Sequence, residues 1–448
     1  MMSITRTEHR NRRRAGCLIA SLALVLATGC SAGDDTGPTD RDRPRDRPGA
    51  HAGEAGGQAT PELGAGRNVS RPLTALLDRR AAAVRDVDPA AFDRGLGEDP
   101  AFRAGQRQWF GNVTQLPVAA FAYTLDPASL VRDGRGYWGT VEVSLRLAEY
   151  DARPVVTRDR YRFERADGRF VLASVSDRAW ERDNPTAAQP WELEPVEVRE
   201  GHGVLGVFDS GSVAGADDLL AAVEKGIAAM APRIPLPWDR RVVVYALSRP
   251  TFLNSMVGVP GGDPMAIDGL TFPVMARQGQ GRVASTRFVL NPRPLQTAPG
   301  SRDRLIRHEL VHVALGSRDD RIPTWLSEGL AEYLSVRTLP SAERVISGAA
   351  LDAARDGLTE LPASDTFNQT DSRANYGVSW WVCEAIAETW GEQMLWTLVA
   401  GLAGSAAPDV ELEQLLGVSG RRLVRDAGTL MLATYEGEPE PRSGAADS

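Results

Sequence analysis

The chain has 448 residues, 42% of them hydrophobic and 25% charged, and a net charge of -8. That length suits two or three domains, and the composition excludes a wholly disordered chain and a multi-span membrane protein. Residues 1–29 carry five arginines against one glutamate, so the remainder is more acidic than the total. Such a chain is poorly suited to a phosphate backbone, and no nucleic-acid partner is expected.

The first segment reads as an address. Arg10 to Arg14 form a basic region and Cys17 to Ala27 an apolar run, too short to span a bilayer as a stable helix. It ends in Leu26-Ala27-Thr28-Gly29-Cys30, which resembles a bacterial lipobox. The resemblance implies a lipoprotein signal peptide over 1–29 and a diacylated Cys30 as the first mature residue. It places the protein at the cell membrane, lipid-anchored on the extracytoplasmic face. Residues 30–69 are rich in Asp, Arg, Pro and Gly and poor in large apolar side chains, so they read as a disordered tether. The cysteines are Cys17, Cys30 and Cys383. With Cys30 lipidated, Cys383 has no disulfide partner, and its apolar helical setting marks a buried core thiol.

Two folded regions are expected, giving an α+β protein. In the first, 70–200, Leu73, Leu76, Leu77 and Ala81 to Val84 recur at helical spacing, and Asp99-Pro100 starts a second helix running to Val113. Alternation then marks a strand over Tyr137 to Leu145, and Tyr161 to Glu164 with Phe170 to Val175 makes a hairpin. Helices followed by an antiparallel sheet resemble the cone-shaped domains of the nuclear transport factor two-like superfamily. Pro185 to Pro195 reads as the domain boundary. In the second region, 204–440, strands are expected at Val204 to Phe208, Arg241 to Leu247 and Thr286 to Leu290. A helix is expected at Ala216 to Met230, and helical patterns at 302–316, 323–336, 373–390, 392–403, 409–416 and 420–434.

The chemistry lies in His308-Glu309-Leu310-Val311-His312. Two histidines four apart share one helical face, one turn apart, so their nitrogens can bind one Zn²⁺. Glu309, next to the first, can reach a water at the metal as general base. Leu305, Ile306, Leu310, Val311 and Val313 make the helix apolar, and buried imidazoles need partners that a metal supplies. A third ligand is required. Leu315 and Arg318 occupy the metzincin positions and exclude that class. Asp319 and Asp320 offer an Asp-type alternative. The better candidates lie in Pro323-Thr324-Trp325-Leu326-Ser327-Glu328-Gly329-Leu330-Ala331-Glu332-Tyr333, where Glu328 and Glu332 share one side of an apolar helix.

His308-Glu-x-x-His312 with Trp325-Leu-Ser-Glu328-Gly-Leu-Ala-Glu332-Tyr333 resembles the gluzincin metallopeptidases, the clan of thermolysin and aminopeptidase N. The resemblance implies one Zn²⁺ held by His308, His312 and Glu328, with Glu309 as general base. It implies that Glu332 orients His308, and that Tyr376, in Asn375-Tyr376-Gly377, stabilises the oxyanion. The helix-start Tyr376 reads equally as a core residue. The implied activity is hydrolysis of peptide bonds in a peptide or protein substrate. Two departures stand out. Fifteen residues separate His312 from Glu328, fewer than in the named relatives. The strand Val283 to Val289, matched to the segment with which aminopeptidases bind the substrate amine, has no acidic residue; it is expected instead to bind an extended peptide by β-addition. Two rival readings remain: a non-catalytic zinc-site lipoprotein acting as a binding or scaffold module, and a protein whose main function lies in the 70–200 domain as a small-molecule or partner-binding module, with the peptidase auxiliary. His202, Trp380 and Trp381 read as core or boundary residues.

Overall fold

A computed structural model describes residues 63–436, except 257–258, 260–262, 265–266, 280 and 297. The signal, Cys30 and most of the tether lie outside the described residues. Helix α1 (Leu63–Arg85) already includes 63–69, which the composition assigned to the tether. It is followed by α2 (Pro89–Arg94) and α3 (Pro100–Val113), capped by Asp88 and Asp99, whose side chains accept from Ala91 and Phe102 backbone N–H groups. They pack on an antiparallel sheet of β1 (Val118–Leu125), β2 (Val131–Asp133), β3 (Gly136–Leu147), β4 (Val155–Ala166) and β5 (Arg169–Ser174). The order is β1-β3-β4-β5, with β2 beside β3. The β4–β5 pair is the expected hairpin, turning on Asp167 and Gly168, both at positive φ.

Two short helices, α4 (Arg178–Asp183) and α5 (Pro190–Leu193), lead into the second sheet. Its strands are β6 (Glu197–Gly201), β7 (Val204–Phe208), β8 (Val242–Ala246), β9 (Gly269–Met275) and β10 (Val283–Leu290), in the order β6-β7-β8-β10-β9. The pairs β7–β8 and β8–β10 are parallel, and the outer pairs are antiparallel. Helix α6 (Ala216–Met230) makes the β7–β8 crossover, and α7 (Thr251–Ser255) follows β8. The rest is helical: α8 (Pro299–Leu315), α9 (Thr324–Val336), α10 (Gly348–Asp356), α11 (Ser372–Trp390), α12 (Glu392–Leu402), α13 (Pro408–Leu416) and α14 (Gly420–Glu436). The chain is thus α+β, with an antiparallel sheet first and a mostly helical C-terminal part. No helix among the described residues is long and apolar enough to cross a membrane.

The continuous apolar run of β8, buried at all five positions, has the pattern of a strand covered on both faces. Alternation sorts the second sheet's side chains. Val204, Phe208, Val242, Val244, Phe288 and Leu290 meet α6, α8 and the helical part. Leu205, Val207, Val243, Tyr245, Phe272, Val274 and Val289 share one core with α1–α3 and the first sheet. The Pro185 to Pro195 stretch is therefore no free linker. Trp191 is buried, and the Asn112 amide donates to the carbonyls of Trp191 and Glu194 at 2.9 and 2.8 Å.

A buried polar network crosses the same interface. Arg287 of β10 pairs with Asp151 at 2.8 Å and donates to the Tyr245 hydroxyl at 2.7 Å and the Gln189 Oε1 at 3.1 Å. The other Asp151 oxygen accepts from the Leu147 N–H at 2.8 Å. The two regions meet in one hydrophobic and polar core.

A candidate zinc centre

Helix α8 buries Ile306, Leu310 and Val311 against the core and turns His308 and His312 to its other side. Helix α9 packs across it through Leu326, Leu330 and Leu334. Between Glu328 and the next turn sits Gly329. A Cβ there would lie 2.4 Å from the Ser379 carbonyl oxygen of α11 and 3.0 Å from the Cys383 sulfur. That close crossing seats α9 and explains why the motif carries glycine beside its glutamate. Cys383 is buried, as expected. Trp380 and Trp381 are core residues of α11, and His202 is an exposed turn residue.

His308, His312 and Glu328 converge; they form the one group of potential metal ligands among the described residues. The two Nε2 atoms are 3.2 Å apart, and Glu328 Oε2 lies 3.2 Å from one and 3.3 Å from the other. This oxygen is buried, and apart from the two imidazole nitrogens no hydrogen-bond donor is recorded for it. Ligands about 2.0–2.1 Å from a tetrahedral zinc sit about 3.3 Å from one another. The residues therefore fit zinc: three donors of the right type, at the right mutual spacing, around a buried carboxylate oxygen.

Charge favours a cation as well. Burial alone would depress His308, but the contacts with Glu328 and Glu332 outweigh it and hold the metal-free ring at about 9. His312 is likewise raised against its burial by Asp319 and Glu328. Burial would raise Glu328, yet His312 and His308 hold its carboxyl well below the usual range. The surrounding carboxylates thus favour positive charge at this point.

Each histidine has a carboxylate beside its far nitrogen. Glu332 Oε1 lies 3.2 Å from His308 Nδ1, and Arg304 pairs with the other Glu332 oxygen. Asp319 Oδ1 lies 3.0 Å from His312 Nδ1 and also accepts from the Ser327 hydroxyl. Asp319 thus belongs behind the second histidine, and Asp320 is outside the ligand group. The Asp-type third-ligand alternative falls for a geometric reason: Asp319 meets the nitrogen that faces away from the ligand cluster. Asp319→Asn is expected to weaken zinc binding about 10- to 100-fold, measured by competition with a chelator. Unchanged affinity would remove Asp319 from this role.

Glu309 is buried, and its Oε2 accepts from the Thr271 hydroxyl at 2.6 Å. Burial raises its pKa. Strand β9 comes this close because its first residue is Gly269, where a Cβ would fall 2.5 Å from Glu309 Oε1. Tyr376, at the start of α11, packs its ring 6.2 Å from that of His308. Its hydroxyl donates to Asn368 Oδ1 at 3.3 Å. Burial, reinforced by the Glu328 and Glu309 carboxylates, keeps that hydroxyl protonated well above the usual phenol range. The chain therefore brings together all five expected residues of the two helical motifs and places Tyr376 beside them.

One expectation is corrected. Strand β10, the expected partner for peptide β-addition, is paired on both sides, with β8 and with β9. It has no free edge. Strand β9 is the edge of the sheet, runs past Glu309 and lines the cleft. Thr271, Gly269, Arg304 and Ser327 were not foreseen as site residues. Gly269 and Thr271 lie on strand β9, which the sequence reading did not identify, and nothing local tied that segment to α8. No family model, curated protein or solved structure matches this chain.

Proposed function

We propose that the chain is a zinc-dependent peptidase of gluzincin type, anchored through Cys30 on the extracytoplasmic face of a bacterial membrane. The observation that carries this reading is the convergence of His308, His312 and Glu328 with Glu309 one residue from the first ligand. The chemistry zinc supplies when bound is Lewis-acid polarisation of a carbonyl and acidification of a water toward a pKa of about 7. Glu309 takes the proton of the attacking water on its carboxylate and passes it to the leaving nitrogen. Thr271 fixes the orientation of that carboxylate. The Tyr376 hydroxyl donates to the oxyanion as it develops. The edge of β9 aligns the substrate backbone. Neither β9 nor β10 carries an acidic side chain, so no carboxylate on these strands anchors a substrate amine. This supports cleavage within a chain rather than removal of its first residue.

The test is metal content by mass spectrometry beside a His308→Ala/Glu328→Ala double variant, followed by screening with a peptide library. One zinc per wild-type chain, none in the variant and cleavage by the wild type alone are expected. Zinc without any cleavage would leave a binding or scaffold lipoprotein. No zinc, even after dialysis against it, would overturn the reading at its base.

A further inference from the structure

The cleft over the zinc-ligand cluster does not end at the catalytic helices. It encloses about 2840 Å³, several times the roughly 300–1,000 Å³ of a small-molecule site. One wall is the edge of β9, which pairs with no further strand among the described residues. A second wall comes from the N-terminal region, with Val156 and Arg158 of β4, Trp180 of α4 and Thr186 of the following segment. Trp180 is half-buried and lines the cleft. The Thr186 hydroxyl donates to the Arg158 carbonyl at 3.4 Å and holds the segment against the strand.

The two walls are fixed to each other. The Val156 N–H donates to the Ala276 carbonyl at 2.8 Å, just past the end of β9. Glu142 of β3 grips the guanidinium of Arg277 with both oxygens, at 2.5 and 3.1 Å. The distance from the site follows from the strand. Gly269 touches Glu309 at one end of β9, and Met275 closes its seven residues at the other. At about 3.3 Å per residue this is about 20 Å, or about six substrate residues beyond the scissile bond.

Resting on the peptidase reading above, we infer that the N-terminal region is part of the substrate site. It takes an extended stretch of polypeptide about six residues from the bond cleaved. The substrate class is then an unfolded or extended protein segment, not a short peptide. Trp180 and Arg158 are its specificity-determining contacts: an aromatic face for side chains, and a cation on a flexible stem for carbonyls and carboxylates.

The experiment uses the Glu309→Gln full-length chain, so that bound peptide persists, and reads fluorescence anisotropy. The probes are fluorescein-labelled randomised peptides of ~4 and ~12 residues, the longer pool extended on one side or the other of a shared centre. Peptides extended toward one side are expected to bind at least about tenfold tighter than the short pool. Trp180→Ala with Arg158→Ala is expected to remove that gain, at an unchanged melting temperature and zinc content. Equal affinity for both lengths, or a gain that survives the double variant, overturns the inference. The peptidase reading is scored separately by wild-type turnover of the longer pools. Turnover without a length effect leaves it standing alone, and a length effect without turnover overturns it while keeping the polypeptide-binding wall.

Discussion

Glu309→Gln is expected to keep one zinc per chain and to lower kcat by about 10²- to 10⁴-fold. Glutamine has the same shape, and its side-chain oxygen can still accept from the Thr271 hydroxyl that now meets Glu309 Oε2 at 2.6 Å. It lies outside the ligand triad, so His308, His312 and Glu328 are left in place. What it cannot do is take a proton. The raised pKa of buried Glu309 brings the carboxyl nearer neutral pH, where a base that must also return its proton works best. Steady-state kinetics on a cleaved library peptide, with metal content on the same samples, checks this. Full turnover with zinc retained would refute the role of Glu309, and loss of zinc would show that the substitution disturbed the ligands instead.

How much of this site was legible depends on how local its parts are. The two histidines and Glu309 lie within five residues, and Glu328 and Glu332 within one and a half turns of another helix. Helical periodicity alone was enough to assign their sides. The third ligand needed only a return of α9 along α8, which the segment from Gly316 to Pro323 permits. The partner of His312 was not legible. Asp319 sits in a short 3-10 turn after α8, and which nitrogen it meets depends on how that turn folds back. Strand β9 was missed because Pro273 interrupts its alternation and Gly269 weakens its start. The substrate edge was assigned to β10, the stronger strand by sequence, because edge position is a property of topology. The nine-residue α10, Ala-rich and lacking a large apolar stripe, left too little signal to register. The proline-rich 185–195 segment has a linker's composition, but Asn112 and Arg287, distant in sequence, bind it into the core.

That last point sets the second large expected effect. A chain cut to residues 195–448 is expected to lose cooperative folding, and zinc binding with it. Removing the N-terminal region would expose Leu205, Val207, Val243, Tyr245, Leu247, Phe272, Val274 and Val289, each now buried. At about 1.5–3 kcal/mol for each such side chain, their exposure alone matches or exceeds the roughly 5–15 kcal/mol net stability of a typical domain. The cut also strips Arg287 of Asp151 and Gln189. The α6 and α8 face of the sheet would survive only as one side of a layer with nothing on the other. Soluble yield, near-ultraviolet circular dichroism and a thermal melt of the truncated chain beside the full one decide the matter. A cooperative melt with zinc bound would show that the two regions fold independently, and that the shared core contributes far less than its burial implies. Loss of both would mean that the first 130 or so described residues belong to the same folding unit as the ligand cluster, the same conclusion to which the wall of the cleft points.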